Sequence, residues 1–157
     1  MPIPDPIANE NSEYLILPEG IYDTNLDEIN ARLNHWGRTG RRMRLTENLE
    51  RYIRELSFWQ IASEIYIDGS YVCGKDEPDD IDILLVYREG FDEAAEGQPM
   101  QENLQDNNYT RRHFGINLWT AAPDSITFTR KMNDLTTVYI DKKVPTEDKK
   151  GILRLQL

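Results

Sequence analysis

Residues 65–86 read IYIDGSYVCGKDEPDDIDILLV. Ile65 and Ile67 alternate with Tyr66 and Asp68, so Ser63–Asp68 is expected to form a strand that stops at Gly69. Ile81–Tyr87 reads as a second strand, and its unbroken apolar run from Ile83 to Val86 marks it as central and covered on both faces. Asp80 and Asp82 stand at the mouth of that strand, two residues apart. Alternate residues of a strand share a face about 6–7 Å apart, so the two carboxylates point together. Such a pair makes a hard, oxygen-rich site suited to Mg²⁺ or Mn²⁺. Gly69 has no Cβ and lets backbone approach a ligand closely. Ser70 adds a hydroxyl and an amide that can hold a phosphate oxygen, and Lys75 in the same loop either meets a triphosphate or is a solvated loop lysine. A phosphate grip beside a metal clamp is the layout that phosphoryl and nucleotidyl transfer require.

On the N-terminal side, residues 1–12 are rich in Pro, Asn and Glu and read as an extended or poorly ordered arm, leaving 13–157 as one domain. Tyr14–Leu17 is a short apolar run closed by Pro18 and Gly20. A first helix is expected from a Thr24 cap, with Leu26, Ile29 and Leu33 on one stripe and Gly37 at its end. A second helix fits Gly40–Trp59, where Leu45, Leu49, Ile53 and Leu56 keep a helical period. Its first turn holds Arg41, Arg42 and Arg44, close to Arg38. Positive charge there opposes the helix dipole, so either the turn is merely exposed or Arg41 and Arg42 hold an anion.

On the C-terminal side, Gly90–Asn108 is acidic and amide-rich and reads as a long mobile insertion. Phe114–Thr120 is expected as the third strand, with Ile116 and Leu118 facing one way, Asn117 and Trp119 the other. Pro123-Asp124-Ser125 offers a cap for a helical segment through Met132. Thr136–Ile140 and Ile152–Leu157 read as late strands separated by the charged loop DKKVPTEDKKG. The expected fold class is α+β (α/β), a mixed sheet flanked by helices.

Composition narrows the function. The chain has 157 residues, and its 28 acidic against 18 basic residues give a net charge of −10. That balance opposes broad wrapping along DNA or lying on an anionic membrane. The single cysteine, Cys73, can form no internal disulfide and anchors no zinc cluster. His35 and His113 lack metal-ligand spacing, and Trp36, Trp59 and Trp119 read mainly as core. The start MPIPDPIANENSEY has neither a basic stretch nor an apolar one, and no window approaches 18 apolar residues. A cytoplasmic protein is the expectation; nothing in the sequence sets its oligomeric state.

The order strand, Gly-Ser, short loop with a second Gly, Asp-x-Asp, apolar strand resembles the polymerase-β-like nucleotidyltransferases, above all the minimal ones of bacteria and archaea. Their usual motif reads G-S-x-A-R-G, a few residues, then S-D-I-D-L. Gly69, Ser70 and Gly74 match its glycines and serine, and Asp80-Ile81-Asp82 match D-I-D. The loop is one residue shorter, Cys73 stands where Arg is common, and Asp79 replaces the Ser. A second resemblance spans nearly the whole chain. Leu17-Pro18-Glu19-Gly20-Ile21, Arg41-Arg42, Asp68-Gly69-Ser70, Lys75 with Pro78, and Lys150–Leu155 are similar to an uncharacterised family of small bacterial nucleotidyltransferase-like proteins.

The first resemblance implies a magnesium-dependent nucleotidyltransferase with NTP as substrate and Asp80 and Asp82 as metal ligands. It also implies a third carboxylate from a neighbouring strand. The position expected to supply it carries Asn117, which is neutral and cannot take a proton; Asp68 and Asp124 are the substitutes. Small members of that superfamily often belong to toxin–antitoxin or phage-defence pairs, modifying a partner protein or a tRNA end. The acidic balance favours a protein partner (a cognate toxin or antitoxin) over tRNA. Asn117 supports the alternative, a catalytically degenerate nucleotidyltransferase-like binding or antitoxin protein.

Overall fold

The computed structural model describes residues 2–36, 40–91 and 98–157. Five strands form the main sheet: β1 (Ile21–Thr24), β2 (Ala62–Asp68), β3 (Ile81–Tyr87), β4 (Ile116–Ala121) and β7 (Ile152–Gln156). Their order is β1-β7-β2-β3-β4, with β2 antiparallel to both neighbours and the pairs β1–β7 and β3–β4 parallel. The strands β5 (Thr137–Ile140) and β6 (Val144–Lys149) pair separately as a hairpin. The α-helices are α1 (Leu26–Arg32), α2 (Arg41–Trp59), α3 (Pro99–Leu104), α4 (Asn107–Phe114) and α5 (Ile126–Thr136). The fold is α+β, a mixed sheet with helices.

Period-two alternation gives the sheet two buried faces. Ile65, Ile67, Ile81, Ile83, Leu85, Ile116 and Leu118 join the apolar stripe of α2 (Leu45, Leu49, Tyr52, Ile53, Leu56) in the main core. The opposite residues Tyr66, Leu84, Val86 and Ala121 pack with Leu135, Phe128 and Met132 of α5. β3 is therefore apolar on both sides, as its sequence indicates, but the middle place of the sheet belongs to β2, with β3 between it and the edge strand β4. The second face continues towards the start of β3 as polar residues: Asp82 is in register with Asp68 of β2 on one side and Asn117 of β4 on the other.

Several expectations fail for local reasons. Thr24 ends β1, and the cap of α1 is Asn25, whose side chain accepts the Glu28 amide. The expected end at Gly37, and Arg38, lie outside the described residues. Of the expected mobile insertion, 92–97 lie outside the described residues, and 98–108 belong largely to α3 and the start of α4. Pro99 suits a first helical turn, Asp106 caps α4, and Leu104 is sealed in the core while its carbonyl accepts the Tyr52 hydroxyl. The amide-rich composition reads as loop because amides cap helices and grip neighbours: Asn107 Oδ1 accepts the Leu118 amide. Phe114 closes α4, and Gly115 (φ +66°) turns the chain into β4.

The charged loop after Ile140 contains β6, and the Ser125-capped helix runs on to Thr136. The arm is not loose either. Ile3 is fully buried in the main core, and Ile7 bridges Ile16, which in turn bridges Cys73. No helix among the described residues is long and apolar enough to cross a membrane.

Candidate functional site

At the end of β2 the chain must reverse, and Gly69 does so at φ +86° and ψ −167°. A side chain is strained in that region. It would also collide: a Cβ on Gly69 falls 2.8 Å from Asp82 Oδ2 and 2.9 Å from its Cγ. The missing methyl is what lets the Gly69-Ser70 turn lie against the Asp82 carboxylate. A short 3₁₀ turn, Ser70–Val72, follows, closed by the Val72 amide on Gly69 O and the Cys73 amide on Ser70 O.

That turn is held from inside by Arg42. The residue is fully buried, and its guanidinium donates to the carbonyls of Leu33, Ser70, Tyr71, Cys73 and Lys75. Its placement corrects the expectation of a phosphate ligand. Every nitrogen of the fork points into the loop's own backbone, and Arg42 is a clamp. Arg41 and Lys75 gather at the far end of the loop. Arg41 Nε donates to Pro78 O at 2.8 Å, and both cations lie 3.6 Å from a carboxylate oxygen of Asp79, next to Asp80.

Asp82 sits in the interior strand β3 with Asp80 one residue before it. Burial, then the charges of Asp68 and Asp80, push the Asp82 carboxyl up to about 6; a hydrogen bond from Asn117 pulls the other way. Asn117 Nδ2 donates to Asp82 Oδ1 at 3.3 Å. The register therefore brings Asn117 to the position predicted for it, on the strand beside the Asp-x-Asp pair. Asp124 is set apart from this row. It follows the far end of β4, which runs parallel to β3, whereas Asn117 and Asp82 sit near the strands' starts. Asp68 is in the row but is not free. Its buried carboxylate receives Lys150 Nζ at 3.0 and 3.1 Å. Burial moves Asp68 up, and Lys150 opposes that shift; burial works against the Lys150 charge, but Asp68 outweighs it and raises the ammonium.

Sequence reading missed Lys150 because 82 positions separate it from Asp68. Only the pairing of β7 with β2 brings them together. A signal was present in the segments Leu17–Ile21 and Lys150–Leu155, which turn out to be one packed unit. The Gly151 amide donates to Leu17 O, and a Cβ on Gly151 would fall 2.3 Å from Pro18 O.

The donor set suits a divalent cation that arrives with phosphates. Asp80 and Asp82 are hard oxygen donors; burial is the main cause of the raised Asp82 carboxyl, and the neighbouring Asp68 and Asp80 charges add to it. No three His, Cys, Asp or Glu side chains among the described residues form a group that would hold a metal unaided. Mg²⁺ needs no such cage, since it binds through one or two carboxylates plus substrate phosphates. Two cavities, of about 380 and 290 Å³, are not lined by Asp80, Asp82 or Asn117.

These features define an α+β protein with a Gly-Ser turn and a row of polar side chains across three adjacent strands. The chain belongs to the family described as a family of unknown function (DUF6932), whose model matches residues 9–156. No curated protein and no solved structure matches it.

Proposed function

We propose that the protein is a Mg²⁺- or Mn²⁺-dependent nucleotidyltransferase of the polymerase-β-like class. It moves a nucleoside monophosphate from an NTP to a hydroxyl. The observation that carries this reading is the Gly69-Ser70 turn seated against Asp82, with Asp80 beside it. In the reaction the acceptor oxygen attacks the α-phosphorus, the bond to the bridging oxygen breaks, and pyrophosphate leaves. Asp80 and Asp82 would hold the divalent cation, which when bound would neutralise phosphate charge. Ser70 and the turn amides orient phosphate oxygens, and Lys75 and Arg41 carry positive charge at the rim of the same loop. Asn117 aligns Asp82 but takes no proton, so the acceptor's proton passes to water and transfer is slow.

The net charge of −10 favours a protein acceptor, such as the cognate member of a toxin–antitoxin or phage-defence pair, over tRNA. Such chemistry belongs in the cytoplasm, where nucleoside triphosphates are found.

The test is incubation with each common NTP labelled at the α-phosphate, Mg²⁺ and cell lysate. A labelled macromolecule is expected, abolished by Asp82→Asn and increased by Asn117→Asp. Labelling that survives Asp82→Asn contradicts the reading. A second reading, a nucleotide-binding partner protein without turnover, is favoured specifically by Asn117. It predicts no label from the wild type or Asn117→Asp, with nucleotide still bound.

A further inference from the structure

The row across the sheet carries one feature that the Asp-x-Asp reading does not use. Lys150 is anchored by its backbone, whose amide donates to Thr136 O at the end of α5. The next residue, Gly151, is locked against Leu17 and Pro18. From that fixed base the side chain reaches Asp68. An ammonium has three N–H donors. Two are directed at the Asp68 oxygens, at 3.0 and 3.1 Å, and the side chain is 22% exposed against 4% for Asp68. The third N–H has no acceptor among the described residues, and Asp82 is among the charges that act on this ammonium.

The acids at this end of the sheet are Asp68 and Asp82 in the row and Asp80 one residue before β3, and β4 contributes a neutral amide instead of a fourth. One acid is already matched by Lys150, which leaves two formal negative charges, the complement of a single divalent ion. We propose that Lys150, oriented by Asp68, serves as a tethered cation for the triphosphate in place of a second divalent ion. The site then takes one divalent ion per bound nucleotide. The inference rests on the nucleotidyltransferase reading above. Its role is that of a positioned positive charge on phosphate oxygens.

The test counts ions. Free Mn²⁺ is followed by electron paramagnetic resonance during titration of the protein with a non-hydrolysable α,β-methylene NTP analogue. The wild type is expected to take up one Mn²⁺ per bound nucleotide. Lys150→Met is expected to take up two, because Asp68 without its ammonium accepts a cation, and Mn²⁺ alone is expected to raise the melting temperature of that variant but not of the wild type. If Lys150→Met does not fold, the charge-neutral pair Asp68→Asn/Lys150→Met replaces it. That double variant should take up one ion and bind the analogue roughly ten- to a hundredfold more weakly, the size of a lost charged hydrogen bond. Two ions in the wild type, one in Lys150→Met, or unchanged analogue affinity in the double variant would each overturn the proposal while leaving the nucleotidyltransferase reading intact. A wild type that binds neither the analogue nor Mn²⁺ would overturn both.

Discussion

Asp82 is held as a carboxyl that resists ionising: buried, beside two other acids, and raised to about 6. An unfolded aspartate titrates near about 4. Between these values the native state binds more protons than the unfolded chain, so stability falls as pH rises through that window. The penalty is fully present above about pH 6 and absent below about pH 4. Asp82→Asn removes it at nearly constant volume. In EDTA the variant should therefore be more stable than wild type at pH 7.5, by on the order of 1–2 kcal/mol, with the difference gone at pH 4. Thermal melts at the two pH values check this; equal melting at pH 7.5 contradicts it. Gly69→Ala should act the opposite way. The positive φ and the 2.8 Å approach to Asp82 both oppose a methyl, so a loss of about 1–3 kcal/mol is expected by urea unfolding. Unchanged stability would mean that the turn relaxes freely.

At the scale of elements, the site depends on one contact between helix and loop. The first turn of α2 sends Arg42 into the loop Ser70–Lys75, where four carbonyls receive it, with Leu33 O as a fifth and no carboxylate among the described residues. The guanidinium fork matches that spread of acceptors, and an ammonium does not. Arg42→Met leaves buried carbonyls unpaired and should cost about 3 kcal/mol or more; Arg42→Lys should recover only part of that. Denaturant midpoints for the two variants decide the matter, and a neutral Arg42→Met would show that the clamp is dispensable. The helical period of α2 and the alternation in β2 and β3 were legible, because each depends on near neighbours in sequence. β1 and β6 were not. Each is short, mixed in polarity, and defined by a partner elsewhere: β7 for β1 and β5 for β6. The helices α3 and α4 were hidden because their amides and acids act as caps and tethers, residue types that also make loops.

At the scale of the molecule, the legible part of the site is the part that one strand-turn-strand unit builds: Gly69, Ser70, Asp80 and Asp82. Asn117 was legible as well, since a parallel neighbour of β3 presents alternate residues to the same face. Lys150 and the true role of Arg42 were not, because both arise from packing between distant segments. The family model spans residues 9–156, which contain all of these parts. The proposed function requires that the Asp80–Asp82 end of β3 bind an NTP together with a divalent cation. Isothermal titration of the wild type with a non-hydrolysable NTP analogue, in Mg²⁺ and again in EDTA, tests it most directly, with Asp82→Asn alongside. Binding is expected in Mg²⁺, weakened at least tenfold in EDTA and to a similar degree by Asp82→Asn, the loss of about 1.4 kcal/mol or more that one charged ligand represents. Binding that is indifferent to both Mg²⁺ and Asp82, or no binding of any common nucleotide, would contradict it.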